Sequence, residues 1–132
     1  MGIYVQRIYD FIKMPTDEKP AVFIDRLYPR GVQKAHFARL LWLKSAAPSH
    51  ELRQWFHRST DEHAFATFSK LYTQELTAPE ALQALAHIKK LHKTHGDIWL
   101  ITAVKDVARS HIPVLLAVLG EKSSEKSAKN PS

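Results

Sequence analysis

The sequence predicts an α/β domain, in which a mostly parallel central sheet is flanked by helices in a Rossmann-like layering. Two predicted strands, residues 21–27 with the apolar run Val22-Phe23-Ile24 and residues 98–103, lack the alternation of a half-exposed strand, which is typical of strands buried on both faces. Segments with helical spacing of apolar residues lie between them, which favours parallel strands joined by helices. The chain has 132 residues and is 45% hydrophobic, which suits one compact domain.

The first half of the chain predicts two strands and one ambiguous segment. Residues 3–9 are rich in β-branched and aromatic side chains and predict the first strand. Residues 10–20 contain two prolines and predict a loop, and residues 21–27 predict the second strand. Residues 34–47 fit a helix by their apolar spacing, yet Leu41-Trp42-Leu43 within them fits a third strand.

The middle of the chain predicts three helices from their end signals. Ser49 is a good N-cap for a short helix, and Ser59 with Glu62 forms a possible capping box for the next one. Pro79 suits the first turn of a third helix, which Gly96 would end as a C-cap glycine.

The last part of the chain predicts a strand, a polar loop, a helix and a tail. Residues 98–103 form the strand, and residues 104–109 the loop. Ser110 is the expected N-cap of the last helix, because Pro113 is tolerated only in a first turn. Residues 121–132 lack core residues, so we expect a folded domain over residues 1–120 and a disordered polar tail.

The composition limits the kind of partner. The formal charge is +6, which biases the protein toward anionic partners such as phosphate metabolites, nucleic acid or acidic proteins. There is no cysteine, which excludes disulfides, thiolate zinc sites and a cysteine nucleophile. No signal peptide and no apolar run of about 18 residues is present, so we expect a cytoplasmic protein without membrane contact.

The candidate site lies where the strands end. The loop after the second predicted strand carries Asp25, Arg26, Tyr28 and Arg30, with Tyr28 expected to be exposed. Two guanidiniums on a loop stiffened by proline suit the binding of a carboxylate or phosphate. Because ligands of open parallel sheets bind beyond the carboxyl ends of the strands, this loop is the first candidate.

A second loop is expected at the same edge of the sheet. It follows the last predicted strand and carries Lys105, and the helix start at Ser110-His111 would add free backbone donors for an anion. We expect further ligand contacts from the helix beginning at Ser49, with Arg53 one turn in, and from Arg7 at the end of the first strand.

Each candidate has a structural alternative. Arg26 and Arg30 either bind a ligand or brace their loop through an ion pair with Asp25 or Asp10. Asp25 and His111 are the candidate catalytic acid–base groups; Asp25 alternatively orients an arginine, and His111 alternatively packs with one partner.

No metal or cofactor is expected. His92 and His95 fall at a helix end without carboxylates at ligand spacing. The sequence contains no zinc-protease motif and no glycine-rich phosphate or dinucleotide motif.

Several of these stretches together resemble a bacterial family known as domain of unknown function 488, YeaO-like. Residues 25–31 read Asp-Arg-Leu-Tyr-Pro-Arg-Gly, residues 42–44 read Trp-Leu-Lys, and residues 48–53 read Pro-Ser-His-Glu-Leu-Arg. The resemblance extends from residue 3 to residue 119 and implies a compact bacterial α/β domain with no settled reaction. The family usually has tryptophan where this chain has Tyr28, and asparagine where it has Ser110.

Three functions are compatible with the sequence. The first is a site for an anionic, nucleotide-like small molecule at the strand ends, either enzymatic or sensory. The second is a nucleic-acid-associated or regulatory module that uses its basic surface. The third is a partner-binding domain without chemistry. The substrate, the oligomeric state and the question of whether the protein is an enzyme are left open by the sequence.

Overall fold

The computed structural model describes residues 2–120, in which four parallel strands form one sheet in the order β1-β4-β2-β3. The strands are β1 (Ile3–Arg7), β2 (Ala21–Phe23), β3 (Leu41–Trp42) and β4 (Ile98–Thr102). The helices are α1 (Ile8–Phe11), α2 (Lys34–Phe37), α3 (His50–Arg58), α4 (Ala64–Glu75), α5 (Pro79–His95) and α6 (His111–Leu119). Short 3-10 turns occupy Lys44–Ala46 and Val107–Arg109. The predicted α/β fold with a parallel sheet is confirmed, and the predicted polar tail lies outside the described residues.

Successive residues of the central strands belong to two different cores, which explains their continuous apolar sequence. Val22 and Leu100 pack against helices α3, α4, α5 and α6 on one face. Phe23 and Ile101 pack against α1 and α2 on the other face. A strand buried on both faces has no polar side to expose, as parallel sheets require. Among residues 2–120, no helix is long and apolar enough to cross a membrane.

The register brings the loops of the candidate site together. Phe23 of β2 lies opposite Ile101 of β4, so the two strands end side by side. The Ile24 amide continues the ladder by donating to the Ile101 carbonyl at 3.1 Å. Asp25 therefore leaves the sheet beside Thr102, at the carboxyl edge of the sheet.

The predicted strand lengths need correction. The first strand was predicted over residues 3–9 but ends at Arg7, because residues 8–11 turn into α1. The second was predicted over residues 21–27 but ends at Phe23. The ambiguous residues 34–47 contain both alternatives, since α2 and β3 follow one another within them.

The predicted helix ends are partly confirmed. Pro79 lies in the first turn of α5, and Gly96 ends that helix with a φ of 84°. The capping box of Ser59 and Glu62 is wrong, because the Ser59 hydroxyl donates to the Trp55 carbonyl of the preceding helix at 2.7 Å. The next helix begins only at residue 64.

Ser49 is the confirmed N-cap of α3 and is itself held by a carboxylate. Its Oγ accepts from the Leu52 amide at 3.1 Å. Its amide and its hydroxyl donate to the two oxygens of Glu75 at 2.7 and 2.6 Å. The start of α3 is thereby attached to the end of α4 by charge-assisted hydrogen bonds.

Tyr72 anchors the segment in front of α3. Its side chain is fully buried, and its hydroxyl donates to the Ala46 carbonyl. Burial raises the pKa of Tyr72, and the nearby carboxylates of Glu75 and Asp25 add to the effect. The neutral phenol is thus the form that the fold accommodates.

We expect Ser49→Ala to lower the free energy of unfolding by about 1–3 kcal/mol, because an N-cap bond and a bond to a carboxylate are lost together. The matched control is Ser59→Ala, which removes one exposed hydroxyl and is expected to change stability by less than about 0.5 kcal/mol. Urea denaturation at pH 7 measures both. An equal loss of unfolding free energy in the two variants would show that the N-cap bond and the Glu75 contact of Ser49 contribute no more than an exposed hydroxyl.

Stability is expected to fall above about pH 10, where tyrosine ionises in the unfolded chain. The pKa of Tyr72 is raised in the folded state, so its contribution is complete below pH 10 and is lost as the pH rises further. Tyr72→Phe is expected to be less stable at pH 7, because the Ala46 carbonyl loses its donor, but to lose less stability between about pH 9.5 and 11. Chemical denaturation between about pH 9.5 and 11 measures the slope of the free energy of unfolding against pH, with Tyr4→Phe as the control. An identical slope in the wild type and in Tyr72→Phe would exclude Tyr72 as the titrating group.

Candidate functional site

The Asp25 carboxylate is almost buried and accepts two hydrogen bonds. Its side chain is 13% exposed. The Thr102 hydroxyl donates to Oδ1 at 2.7 Å, and the Ala103 amide donates to Oδ2 at 2.8 Å. His111 Nε2 lies 3.2 Å from Oδ1. We call these four residues the Asp25 network; it joins the carboxyl ends of β2 and β4 to the start of α6.

His111 is the first residue of α6 and is 5% exposed. Its Nε2 lies 2.9 Å from the Ile24 carbonyl and 3.2 Å from Asp25 Oδ1. The Ile24 carbonyl can only accept, so Nε2 carries a hydrogen that it donates to this oxygen, while Asp25 Oδ1 lies nearby. The two predicted catalytic candidates therefore lie together, but each is occupied in holding strand ends.

Arg26 binds backbone instead of a carboxylate. Its Nε donates to the Pro48 carbonyl at 2.9 Å, and its Nη2 donates to the Ala47 carbonyl at 3.0 Å. Within the described residues Arg26 forms no ion pair with Asp25, so the predicted alternative of an ion pair does not apply to it. Its guanidinium fixes the segment that leads into α3.

Arg7, at the carboxyl end of β1, also binds backbone carbonyls with its guanidinium. Its Nε donates to the Val104 carbonyl at 2.8 Å, and its Nη2 lies 3.4 Å from the Ala103 carbonyl. Its guanidinium also lies over the Tyr9 ring at 5.1 Å. Arg7 thereby holds the chain that leaves β4.

The two candidate serines are helix caps. Ser49 binds Glu75 and the α3 amide described above. The Ser110 Oγ accepts from the Ile112 amide at 3.1 Å and donates to the Val107 carbonyl at 2.7 Å. The hydroxyl that stands in place of the family asparagine therefore caps α6.

The remaining candidates are exposed. The side chains of Arg30, Arg53 and Lys105 form no ion pair or hydrogen bond with any residue between 2 and 120. Tyr28 is 41% exposed, as predicted. Among residues 2–120, no side-chain hydrogen bond or ion pair joins Arg53 or Lys105 to the other candidates; the Arg53 amide donates to the Ser49 carbonyl at 2.9 Å within α3.

Tyr28 belongs to an aromatic cluster that the sequence did not reveal. Its hydroxyl donates to the Val32 carbonyl at 2.7 Å, and its ring centroid is 4.6 Å from that of Phe37 and 6.2 Å from that of Trp42. The Trp42 indole is half-buried, and its Nε1 donates to the Asp25 carbonyl at 2.6 Å. These contacts give the Tyr28 ring a fixed orientation at the surface.

Three exposed cations accompany these rings. Lys44 Nζ lies 4.3 Å from the Trp42 centroid. Arg30 and Lys34 are exposed and have no ion-pair partner among residues 2–120. We call the set of Tyr28, Arg30, Lys34, Trp42 and Lys44 the β3 edge surface.

The sequence carries a signal for this surface in its charge distribution. Residues 26–50 contain five of the 19 lysines and arginines and none of the 13 aspartates and glutamates, so they account for +5 of the formal charge of +6. The absence of carboxylates distinguishes this stretch beside its family motifs.

A groove continues the β3 edge surface toward α5. It encloses about 440 Å³ and is lined by Trp42, Leu43, Lys44, Ser45, Glu80, Gln83, Ala84 and His87. Trp42 and Lys44 belong to both the groove and the surface. Within residues 2–120, no group of three or more His, Asp and Glu side chains is arranged to hold a metal ion.

Comparison with known proteins identifies the family. The sequence model described as the inactive DUF488-N3 subclade matches residues 2–132. The uncharacterized protein Rv3073c of Mycobacterium tuberculosis is 35% identical over 117 residues, which cover 89% of this chain and 92% of that protein. The uncharacterized protein YeaO of Escherichia coli is 33% identical over 118 residues, which cover 87% and 94%. No solved structure matches the chain significantly. The protein therefore belongs to the DUF488 family, in the group described as its inactive N3 subclade.

Proposed function

We propose that this protein is a non-catalytic binding module that takes an anionic, nucleotide-like ligand at the carboxyl edge of its sheet. The observation that carries the proposal is the charge of residues 26–50, which contain five cations and no carboxylate. The candidate cations Arg7 and Arg26 hold this edge in shape, while Arg30 and its neighbours on the β3 edge surface would contact the ligand.

The chemistry of the β3 edge surface suits a nucleotide. The exposed guanidinium of Arg30 offers the planar fork of donors that matches a phosphate. Tyr28 offers a flat ring held by Phe37 and by its own hydroxyl, on which a base can stack. A ring already ordered by the fold lowers the entropic cost of binding.

Binding without chemistry is supported by the Asp25 network. A catalytic base needs a free position toward its substrate, whereas Thr102 and Ala103 each donate to one oxygen of Asp25 and the His111 ring lies against it. The description of the subclade as inactive agrees with this proposal.

We expect Arg30→Gln to weaken ATP binding about tenfold, because one charge-assisted hydrogen bond contributes about 1.5 kcal/mol. The matched control is Arg58→Gln, which removes the same charge from an exposed position at the end of α3. Isothermal titration calorimetry in 50 and 200 mM NaCl measures both. An affinity reduced equally in the two variants would place the ligand elsewhere, and no ATP binding by the wild type would refute the proposal.

Asp25→Asn is expected to lower the free energy of unfolding by about 2–4 kcal/mol, because the amide nitrogen cannot accept, so Thr102 or Ala103 loses its acceptor. The folded variant is expected to bind ATP within about twofold of the wild-type affinity. Asp106→Asn, at an exposed position beside the same edge, is the control and should retain wild-type stability. A variant with normal stability but without ATP binding would instead make Asp25 a ligand-binding group.

A further inference from the structure

The β3 edge surface extends beyond the reach of one base and one phosphate. Trp42 contacts the Tyr28 ring on the loop and also lines the groove against α5. The groove then adds Lys44 and His87. A continuous path therefore runs from the exposed Tyr28 ring, past Trp42, to α5.

The cations of the β3 edge surface are not neutralised by the protein. Arg30, Lys34 and Lys44 have no carboxylate partner among residues 2–120, and Glu80 is the single carboxylate that lines the groove. Several unpaired cations suit a ligand with repeated negative charges, since each phosphate that is neutralised releases counterions.

The rings determine which polyanion fits. The Tyr28 ring is 41% exposed and held in place by Phe37. Stacking on such a ring requires a base whose face is free, and bases in a duplex are covered by their neighbours. A positively charged groove with aromatic platforms is the common arrangement for binding single strands.

From this combination we propose that the occupant of the β3 edge surface is single-stranded nucleic acid, bound through Tyr28, Arg30, Lys34 and Lys44 without base-specific contacts. This inference rests on the proposed function: the nucleotide-like ligand proposed there is taken to be a nucleotide within a single strand. Tyr28 stacks on a base, the three cations bind successive phosphates, and Trp42 supports both the Tyr28 ring and Lys44.

The experiment is fluorescence anisotropy with labelled oligothymidylates of two, six and twelve nucleotides, beside ATP titrations of the same protein. We expect the affinity to rise with length and to exceed that for ATP. Tyr28→Leu should weaken binding of the twelve-nucleotide probe at least fivefold. Replacing Arg30, Lys34 and Lys44 together by glutamine should lower the slope of log Kd against log salt by about 2, because each phosphate contact to a single strand contributes about 0.7.

The control variant replaces Lys89, Lys90 and Lys93 of α5 by glutamine, which removes the same charge from three exposed positions. It should bind the twelve-nucleotide probe with the wild-type salt slope. If its salt slope fell as much as that of the variant lacking Arg30, Lys34 and Lys44, binding would follow total charge. That result would overturn the assignment to the β3 edge surface.

Further outcomes separate this inference from the proposed function. ATP binding that depends on Arg30, with no gain for the longer probes, would refute the nucleic-acid ligand and leave the proposed function intact. No binding of either kind would refute both. Equal affinity for a duplex of the same length, or for polyglutamate of the same charge, would also overturn the single-stranded ligand.

Discussion

The carboxyl edge of this domain depends on Asp25, which connects three of the four strands. Its carboxylate accepts from Thr102 and Ala103 at the end of β4 and lies 3.2 Å from His111 Nε2 at the start of α6. Its carbonyl accepts from the Trp42 indole at the end of β3. A buried carboxylate is costly unless donors surround it, so the charge stabilises this edge only while all of these groups keep their positions. The position of the loop that begins at Asp25 is thus determined by the sheet itself.

The family signature over residues 25–31 divides into an inner and an outer part. Asp25 and Arg26 point into the molecule, where one holds strand ends and the other holds the carbonyls in front of α3. Tyr28 and Arg30 are exposed. Gly31, with a φ of 79°, turns the chain at a position where an L side chain would be strained. One short motif therefore builds the edge and also supplies the groups proposed to bind a ligand there.

The parts of the fold that the sequence predicted are those with a local physical signal. β4 was recognised because burial on both faces requires an uninterrupted apolar run, and Ser49 because an N-cap hydroxyl bonds within its own turn. β3 was not resolved, since a strand of two residues is too short for any period to appear. The capping box at Ser59 failed because its hydroxyl found an acceptor in the preceding helix, at Trp55.

The site was harder to predict because its decisive contacts join residues that are distant in the sequence. Arg26 was expected to face a ligand or a carboxylate, but its partners are the backbone carbonyls of Ala47 and Pro48, and every residue carries such an acceptor. Sequence alone cannot show which arginines are occupied in this way. Once they are known, the cations without partners become informative, since like charges left together destabilise a folded chain slightly unless an anion neutralises them. The unpaired Arg30 and Lys34, beside rings that the fold already holds in place, are for this reason stronger evidence for a ligand than the conspicuous Asp25 and Arg26.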